Sequence, residues 1–326
     1  MLKKNLTEIK YRKGLQFSYK ADIIINCKMI NKVLVSSDAA VVAHKEINNG
    51  VNNSEDKVWN MINERRKVFI YEVLRFIVSI VIGFLILVFY LWGTPYKRGF
   101  FCDDESLKHP YKESTVTNVM LYIVGLGLPV LTIIFIASDS CGRSRKVLGR
   151  EIPAWVWEAY QVVGVFLFGC ACQQLTTDVA KYTIGRLRPH FFDVCKPNID
   201  CSLDTNKWRY IEEFTCLATN EKLKKEMRLS FPSGHSSFSA YTMLYFSMYL
   251  QKRFTWRGSK LVRHGIQFIL MLFAWYTFMT RVSDYKHHWS DVLAGVIIGL
   301  LFAVVIVSII QSIIKKMNYL PEMTQC

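Results

Sequence analysis

The stretch VLAGVIIGLLFAVVIVSII, Val292 to Ile310, carries Ser308 as its only polar side chain. A helix rises about 1.5 Å per residue, so a run of this length crosses most of a hydrocarbon layer of about 30 Å. Directly before it stands RVSDYKHHWSD, residues 281–291, which crowds an arginine, a lysine, two histidines and two aspartates against the start of an apolar helix. Working outward, five more apolar blocks appear, at 69–92, 119–137, 156–178, 236–250 and 265–279, and the last block extends over 292–314. The fourth and fifth are short, and flanking aromatic and basic side chains complete them by reaching to the interface. Ten-residue alternation, the mark of a membrane barrel, is absent. The expected fold is all-α: a polytopic membrane protein with six transmembrane helices in one domain, 68–314.

The flanks read differently. Residues 1–67 form a polar extension, with NNGVNNSEDK (48–57) composed like a disordered linker, and 315–326 form a short tail. No signal peptide is apparent, so the first span serves as the insertion signal. The chain of 326 residues carries a formal net charge of +15. Nucleic acid is one partner for such a charge, but no nucleic-acid module or zinc-ligand spacing accompanies it, and none is expected to bind. The basic residues instead flank the spans: Arg65, Arg66 and Lys67 before the first, Arg143, Arg145, Lys146 and Arg150 after the second, Lys252 to Arg263 after the fourth, Lys315 and Lys316 after the sixth. The positive-inside rule then makes both termini cytoplasmic. The loops 93–118, 179–235 and 280–291 lie on the opposite side. They hold Cys102, Cys195, Cys201 and Cys216, where an oxidising compartment permits disulfides of undetermined pairing. Cys170 and Cys172, inside the third span, read as small buried hydrophobes.

Three stretches on that outer side carry chemistry. KYTIGRLRP, 181–189, brings Lys181, Arg186 and Arg188 together, with Pro189 marking a helix end at Arg188. A single basic residue at a span's end merely meets headgroups; three cations beside a helix stop suit an anion. FPSGHSSFSAYTML, 231–244, opens a helix at a Ser-Gly turn. Ser233 or Gly234 is the natural N-cap, and the free N–H groups of the first turn beside His235 make an anion site. In the opening stretch Asp291 lies four residues after His287 and three after His288, so its carboxylate can orient either imidazole and leave the other ring nitrogen as a nucleophile. Arg281 adds a planar guanidinium suited to phosphate. Asp284, His287 and Asp291 could instead hold a divalent cation, but the other outer segments supply cations rather than further acidic ligands.

Lys181…Arg188-Pro189, Pro232-Ser233-Gly234-His235 and Arg281…His287…Asp291 resemble the three signature motifs of the type-2 phosphatidate phosphatases, the lipid phosphate phosphatases. The resemblance runs through all six spans and includes PYKRGFFCDDES (95–106) and KYTIGRLRPHFFDVC (181–195), which are similar to animal integral-membrane members. It implies that His287 attacks phosphorus, that His235 protonates the leaving alkoxide and then activates water, and that Asp291 holds His287. Lys181, Arg188, Ser233, Gly234 and Arg281 would cradle the phosphate, with no metal and no cofactor. The sequence departs from the pattern at Thr280, where serine usually precedes the arginine; at 198–202, where no glycosylation sequon stands; and in the long N-terminal extension. Asn5 and Asn52, which do match the sequon, fall on the cytoplasmic side.

The resemblance implies hydrolysis of lipid phosphomonoesters (phosphatidate, lysophosphatidate, ceramide 1-phosphate or sphingosine 1-phosphate) at the outer face of an integral membrane protein, most simply in the plasma membrane. The partner is then the membrane lipid itself, and nothing in the chain requires or forbids a homo-oligomer. A catalytically silent lipid- or protein-binding relative would lack one of the reactive groups, and here both histidines are present. A transporter would use Glu158, Gln161, Gln173 and Gln174, which helix–helix hydrogen bonding explains more simply. A soluble sugar-phosphate substrate is the nearest enzymatic alternative.

Overall fold

The structure, a computed structural model, describes residues 70, 73–138, 145–147, 150–253 and 260–318. The whole N-terminal extension, 1–67, and the end of the C-terminal tail, for which the sequence predicts disorder and a cytoplasmic tail, lie outside the described residues. The chain divides into Met1–Phe76 and Ile77–Cys326. Of the first unit only Ile70 and the opening turn of one helix are described; the second carries the bundle.

In chain order the elements are helix α1 (Val73–Trp92), strand β1 (Phe100–Phe101), helix α2 (Asn118–Ser138), strands β2 (Arg145–Val147) and β3 (Arg150–Ile152), helix α3 (Ala154–Ile184), short helices α4 (Phe191–Cys195) and α5 (Asp204–Lys207), strand β4 (Tyr210–Ile211), helix α6 (Glu221–Glu226), and long helices α7 (Gly234–Arg253), α8 (Lys260–Ser283) and α9 (Trp289–Asn318). The described strands form two small antiparallel ribbons, β1 with β4 and β2 with β3. The fold is a helical membrane bundle, as the apolar blocks predict.

Among the described residues, five helices (α1, α2, α3, α8 and α9) are long and apolar enough to cross a membrane. The block expected as the fourth span is α7, which has the length but carries Ser236, Ser237, Ser239 and Thr242. Its polarity has a packing explanation. Helix α7 touches α2, α3, α8 and α9, and those four serine and threonine side chains are buried. Its Phe238, Tyr241 and Tyr245 enter one apolar cluster with α2, α3 and α9, and its Ala240, Met243 and Phe246 enter another with α8 and α9. A helix enclosed by other helices needs no lipid-facing apolar surface, and its hydroxyls find partners on its own turns or its neighbours: Gln173 Nε2 donates to Ser237 Oγ at 2.6 Å. Arg253 and Glu158 pair α7 with α3 farther along.

Small residues set the spacing. A Cβ added at Gly299 of α9 would lie 2.3 Å from the Ser237 carbonyl oxygen, and one at Gly295 would lie 2.5 Å from that of Ser233. The same holds at Gly125, within a π-helical turn of α2 (Ile123–Gly127), where Phe238 would be struck at 2.5 Å. At Gly295 and Gly299 backbone meets backbone, and at Gly125 backbone meets the Phe238 ring, as small residues allow between membrane helices.

Two boundaries differ from expectation. Helix α3 ends at Ile184 rather than running to Arg188, because Gly185 takes a left-handed C-cap at φ 57° and donates to the Lys181 carbonyl. Only glycine fits there: a Cβ would stand 2.2 Å from the Tyr96 carbonyl oxygen. At the other end of the chain, α9 continues to Asn318, past the predicted limit at 314.

Over the ends of the helices lies a cap built from 93–117 and 185–233. Phe100, Phe191, Phe192 and Phe214 form its aromatic centre. Disulfides Cys102–Cys201 and Cys195–Cys216 staple it, which settles the pairing that spacing left open. Cys170 is buried in the bundle with its thiol reduced, and Cys172 is reduced and half-buried.

Adding one methyl group where α9 meets α7 should overpack the bundle. Gly299→Ala is expected to lower stability by about 1–3 kcal/mol, seen as a fall in the detergent melting temperature. Gly83→Ala on α1, where a Cβ meets nothing within 4 Å, should leave that temperature unchanged or slightly higher. Equal responses from the two would refute the close-approach account.

Candidate active site

The three motif segments meet beneath the cap. After α3 stops, the chain carries Arg186 and Arg188 across the bundle end. The 188–190 turn is tied by Arg188 N donating to the Met227 carbonyl at 2.8 Å. Ser233 stands directly before α7; its hydroxyl accepts from Ser236 Oγ at 2.9 Å and its carbonyl from Ser237 N at 3.1 Å. Ser233, rather than Gly234, is therefore the cap. Gly234 has its own reason: a Cβ there would lie 2.9 Å from Lys181 Nζ, so the missing side chain lets the ammonium sit against the helix N-terminus. Lys181 is also 3.5 Å from Asp178 Oδ1, one turn back on α3.

Helix α8 ends in a turn that fixes the third motif. The Arg281 carbonyl accepts from both Lys286 N (3.1 Å) and His287 N (3.2 Å), folding Ser283–His287 back over the helix end. Tyr285 turns at φ 54° to make this possible. The Arg281 side chain is 1% exposed. Its Nη2 donates to Asp284 Oδ2 at 3.2 Å and to Thr280 Oγ1 at 3.3 Å, so the hydroxyl at position 280 is in use although it belongs to threonine. Asp284 in turn accepts from Thr115 N and Thr115 Oγ1, both at 2.8 Å. Two arginine donors, Arg188 Nε and Arg281 Nε, and His235 Nε2 are buried without a protein partner.

His287 is buried, and its Nδ1 lies 2.7 Å from the Ser230 carbonyl oxygen. A carbonyl only accepts, so Nδ1 carries the proton and Nε2 keeps its lone pair. Burial, then the charges of Arg188 and Lys181, hold its pKa well below the usual histidine value. The ring is neutral at neutral pH, as a nucleophile requires. His235 is in electrostatic reach of His287 and of Arg281, Lys181 and Arg188.

Asp291 corrects one expectation. Its carboxylate does not bond His287. Helix α9 begins only at Trp289, so His287 lies in the preceding turn and the one-turn spacing to Asp291 never becomes a helical contact. Fully buried, Asp291 accepts from Ser230 Oγ at 2.6 Å, Arg186 at 2.5 Å, and the backbone N and Nδ1 of His288 at 3.0 and 3.1 Å. It reaches His287 through Ser230, whose hydroxyl it holds and whose carbonyl holds the ring. Arg186 is thereby the counter-ion of Asp291 and also donates to Ser290 Oγ at 2.8 Å. The carboxylates weighed as metal ligands are turned to arginines, and among the described residues no group of three His, Cys, Asp or Glu is arranged to hold an ion.

Sequence reasoning missed Ser230, the Thr115–Asp284–Arg281 chain, and Lys286. Ser230 looks like any loop serine. Thr115 is too far away in sequence to be linked to Asp284 without coordinates. Lys286 had a visible signal, the charge density around His287, but no motif assigned it.

A profile described as the PAP2 superfamily matches residues 162–315, the segment that supplies most of these groups. A Drosophila melanogaster protein named provisionally as a phosphatidate phosphatase is 49% identical over 74% of this chain and 69% of its own length. Phospholipid phosphatase 1 of Rattus norvegicus is 41% identical, covering 75% of this chain and 86% of the relative. Phospholipid phosphatase 2 of Homo sapiens is 40% identical, covering 77% and 86%. No solved structure matches. With all three motifs gathered at one buried site in a helical membrane bundle, the chain belongs to the PAP2 superfamily, as an integral-membrane phosphatase of the type-2 lipid phosphate phosphatase family.

Proposed function

We propose that this protein hydrolyses lipid phosphomonoesters, phosphatidate and its lyso-, ceramide and sphingosine analogues, through a phosphohistidine at His287 and without a metal. The observation that carries the reading is the hydrogen bond from His287 Nδ1 to the Ser230 carbonyl, which leaves Nε2 as the free nucleophile beside Arg188 and Lys181.

In the first step the Nε2 lone pair attacks phosphorus and the P–O bond to the lipid breaks, the alkoxide taking a proton from His235. In the second, His235 removes a proton from water, the hydroxide attacks phosphorus, and the N–P bond breaks to return neutral His287 and inorganic phosphate. Lys181, Arg188 and Arg281 offset the charge on the transferring oxygens, together with the N–H groups at the start of α7, because phosphoryl transfer depends chiefly on positioning and electrostatic stabilisation. A bound phosphate dianion also neutralises the cations around His235 and lets that imidazole carry the proton it must give. Asp291 acts through Ser230 as a positioning residue.

The disulfide-stapled cap over the site supports an outer-leaflet location facing an oxidising compartment, with both termini cytoplasmic and the plasma membrane as the simplest home. The lipid chains would remain among the spans while the headgroup meets the cations. The names of the fly, rat and human relatives support a lipid substrate over a soluble sugar phosphate.

Phosphate release from phosphatidate by detergent-purified protein tests the scheme. His287→Ala should abolish turnover, at least about 10⁴-fold, while His288→Ala should retain part of it. A dead His288→Ala beside an active His287→Ala would reassign the nucleophile. Excess EDTA should leave the rate unchanged; loss that magnesium restores would end the metal-free scheme. Ser230→Ala keeps the carbonyl but leaves Asp291 short of one donor. It should lower kcat about 10-fold or more with little change in KM, since a buried charge loses a hydrogen bond and the ring its alignment. An unchanged kcat would remove Ser230 from the positioning role.

A further inference from the structure

Lys286 sits between the family's assigned groups without a role. Its side chain is 5% exposed, yet among the described residues it joins none of the site's ion pairs, which link Lys181 to Asp178, Arg186 to Asp291 and Arg281 to Asp284. Its ammonium instead rests 3.8 Å from the centroid of the Tyr111 ring. The groups facing it electrostatically are Arg188, Arg281, Asp284, Glu226 and His190. Burial, and then Arg188, pull its pKa down to about 8.

Tyr111 belongs to a strap, residues 109–115, that lies outside the segment matched by the family profile. The strap is fastened at several points. His109 N donates to the Pro189 carbonyl at 3.0 Å and Tyr111 N to Asp193 at 2.8 Å. His109 stacks on Tyr285 with centroids 4.4 Å apart, and Tyr111 meets His190 edge-on at 5.2 Å. Thr115 clamps Asp284. Tyr111 itself remains 39% exposed, at the lip of the site rather than inside it.

We propose that Lys286 is a further phosphate-binding cation, held on the face of Tyr111 until a substrate arrives and then drawn onto the second negative charge of a phosphomonoester, so that the pair selects phosphomonoester dianions over phosphodiester monoanions. The proposal rests on the reading of this site as a phosphate site. A cation over an aromatic face is bound loosely enough to be exchanged for a charge-assisted hydrogen bond to phosphate, while its burial keeps water from competing. Lys181 and Arg281 are already paired with Asp178 and Asp284, so the single charge of a diester is matched by Arg188 and gives Lys286 nothing to leave the ring for. The amine is cationic below its pKa and neutral above it, so its contribution is present at pH 7 and lost as the pH rises through about 8.

The test uses the full-length protein in detergent and two readouts. The first is calorimetric binding of inorganic phosphate from pH 6 to 9, which needs no turnover. The second is hydrolysis of phosphatidate against its methyl diester. Lys286→Met should weaken phosphate binding at pH 7 about 10-fold, raise KM more than it lowers kcat, and reduce discrimination against the diester to a similar degree. Wild type should lose affinity near pH 8, Lys286→Met should lack that step, and Lys286→Arg should bind within about 3-fold of wild type at pH 7 with the step moved to higher pH. Lys286→Met binding phosphate as wild type does, or keeping the step near pH 8, overturns the proposal, as does a wild type that binds no phosphate. If Lys286→Met fails to fold, the displaced step in Lys286→Arg decides. Phosphate binding that depends on Lys286 in a protein that releases no phosphate from phosphatidate would refute the proposed reaction while leaving this inference standing.

Discussion

Ser230 ties together three parts of the chain that are distant in sequence. Its carbonyl takes the proton side of His287, its hydroxyl satisfies one oxygen of Asp291, and its own N–H donates to the Arg186 carbonyl at 3.0 Å. A buried carboxylate is costly unless its lone pairs are met. Asp291 meets that cost with a serine, an arginine and the His288 backbone, and each of those bonds also fixes a segment of the site. The Ser233 N–H donating to the Asp291 carbonyl at 3.0 Å closes the same knot from the α7 side. The tautomer of His287 is thus fixed by the same serine that satisfies Asp291.

That knot needs α7 and α9 very close together, and glycines permit it. Gly295 and Gly299 bring the first turns of α9 against the carbonyls of Ser233 and Ser237, so the first turns of α7 pack directly against the start of the helix that carries Asp291. The polar helix in the middle of the bundle is a direct result: its faces are spoken for by neighbours, and its hydroxyls serve as local hydrogen-bond donors rather than as a lipid-facing surface.

Much of this was legible in the sequence because membrane burial and phosphate chemistry both leave dense local signals. Apolar runs marked all six long helices, although α7 proves more polar than the other five, and clusters of Lys, Arg and His at the helix ends pointed to the candidate site. The signals failed where the deciding contact was between distant segments. Asp291 four residues from His287 suggested a direct bond, but helical spacing holds only inside a helix, and α9 starts two residues too late. Pro189 suggested where α3 stops; Gly185, free to take a left-handed turn against Tyr96, stops it sooner. Thr115 and Tyr111, more than 160 and 170 residues from Asp284 and Lys286, could be linked to the site only by coordinates.

The enclosure of α7 also bears on how the protein is made. A helix bearing Ser236, Ser237, Ser239 and Thr242 partitions weakly into hydrocarbon when it leaves the translocon alone. The glycine-lined face of α9 and the buried side of α8, which shelter it, are synthesised later. The nascent chain must therefore keep this segment shielded until its C-terminal neighbours arrive, so that topogenesis of the second half is collective, and a ribosome halted before α9 would leave α7 without a stable berth.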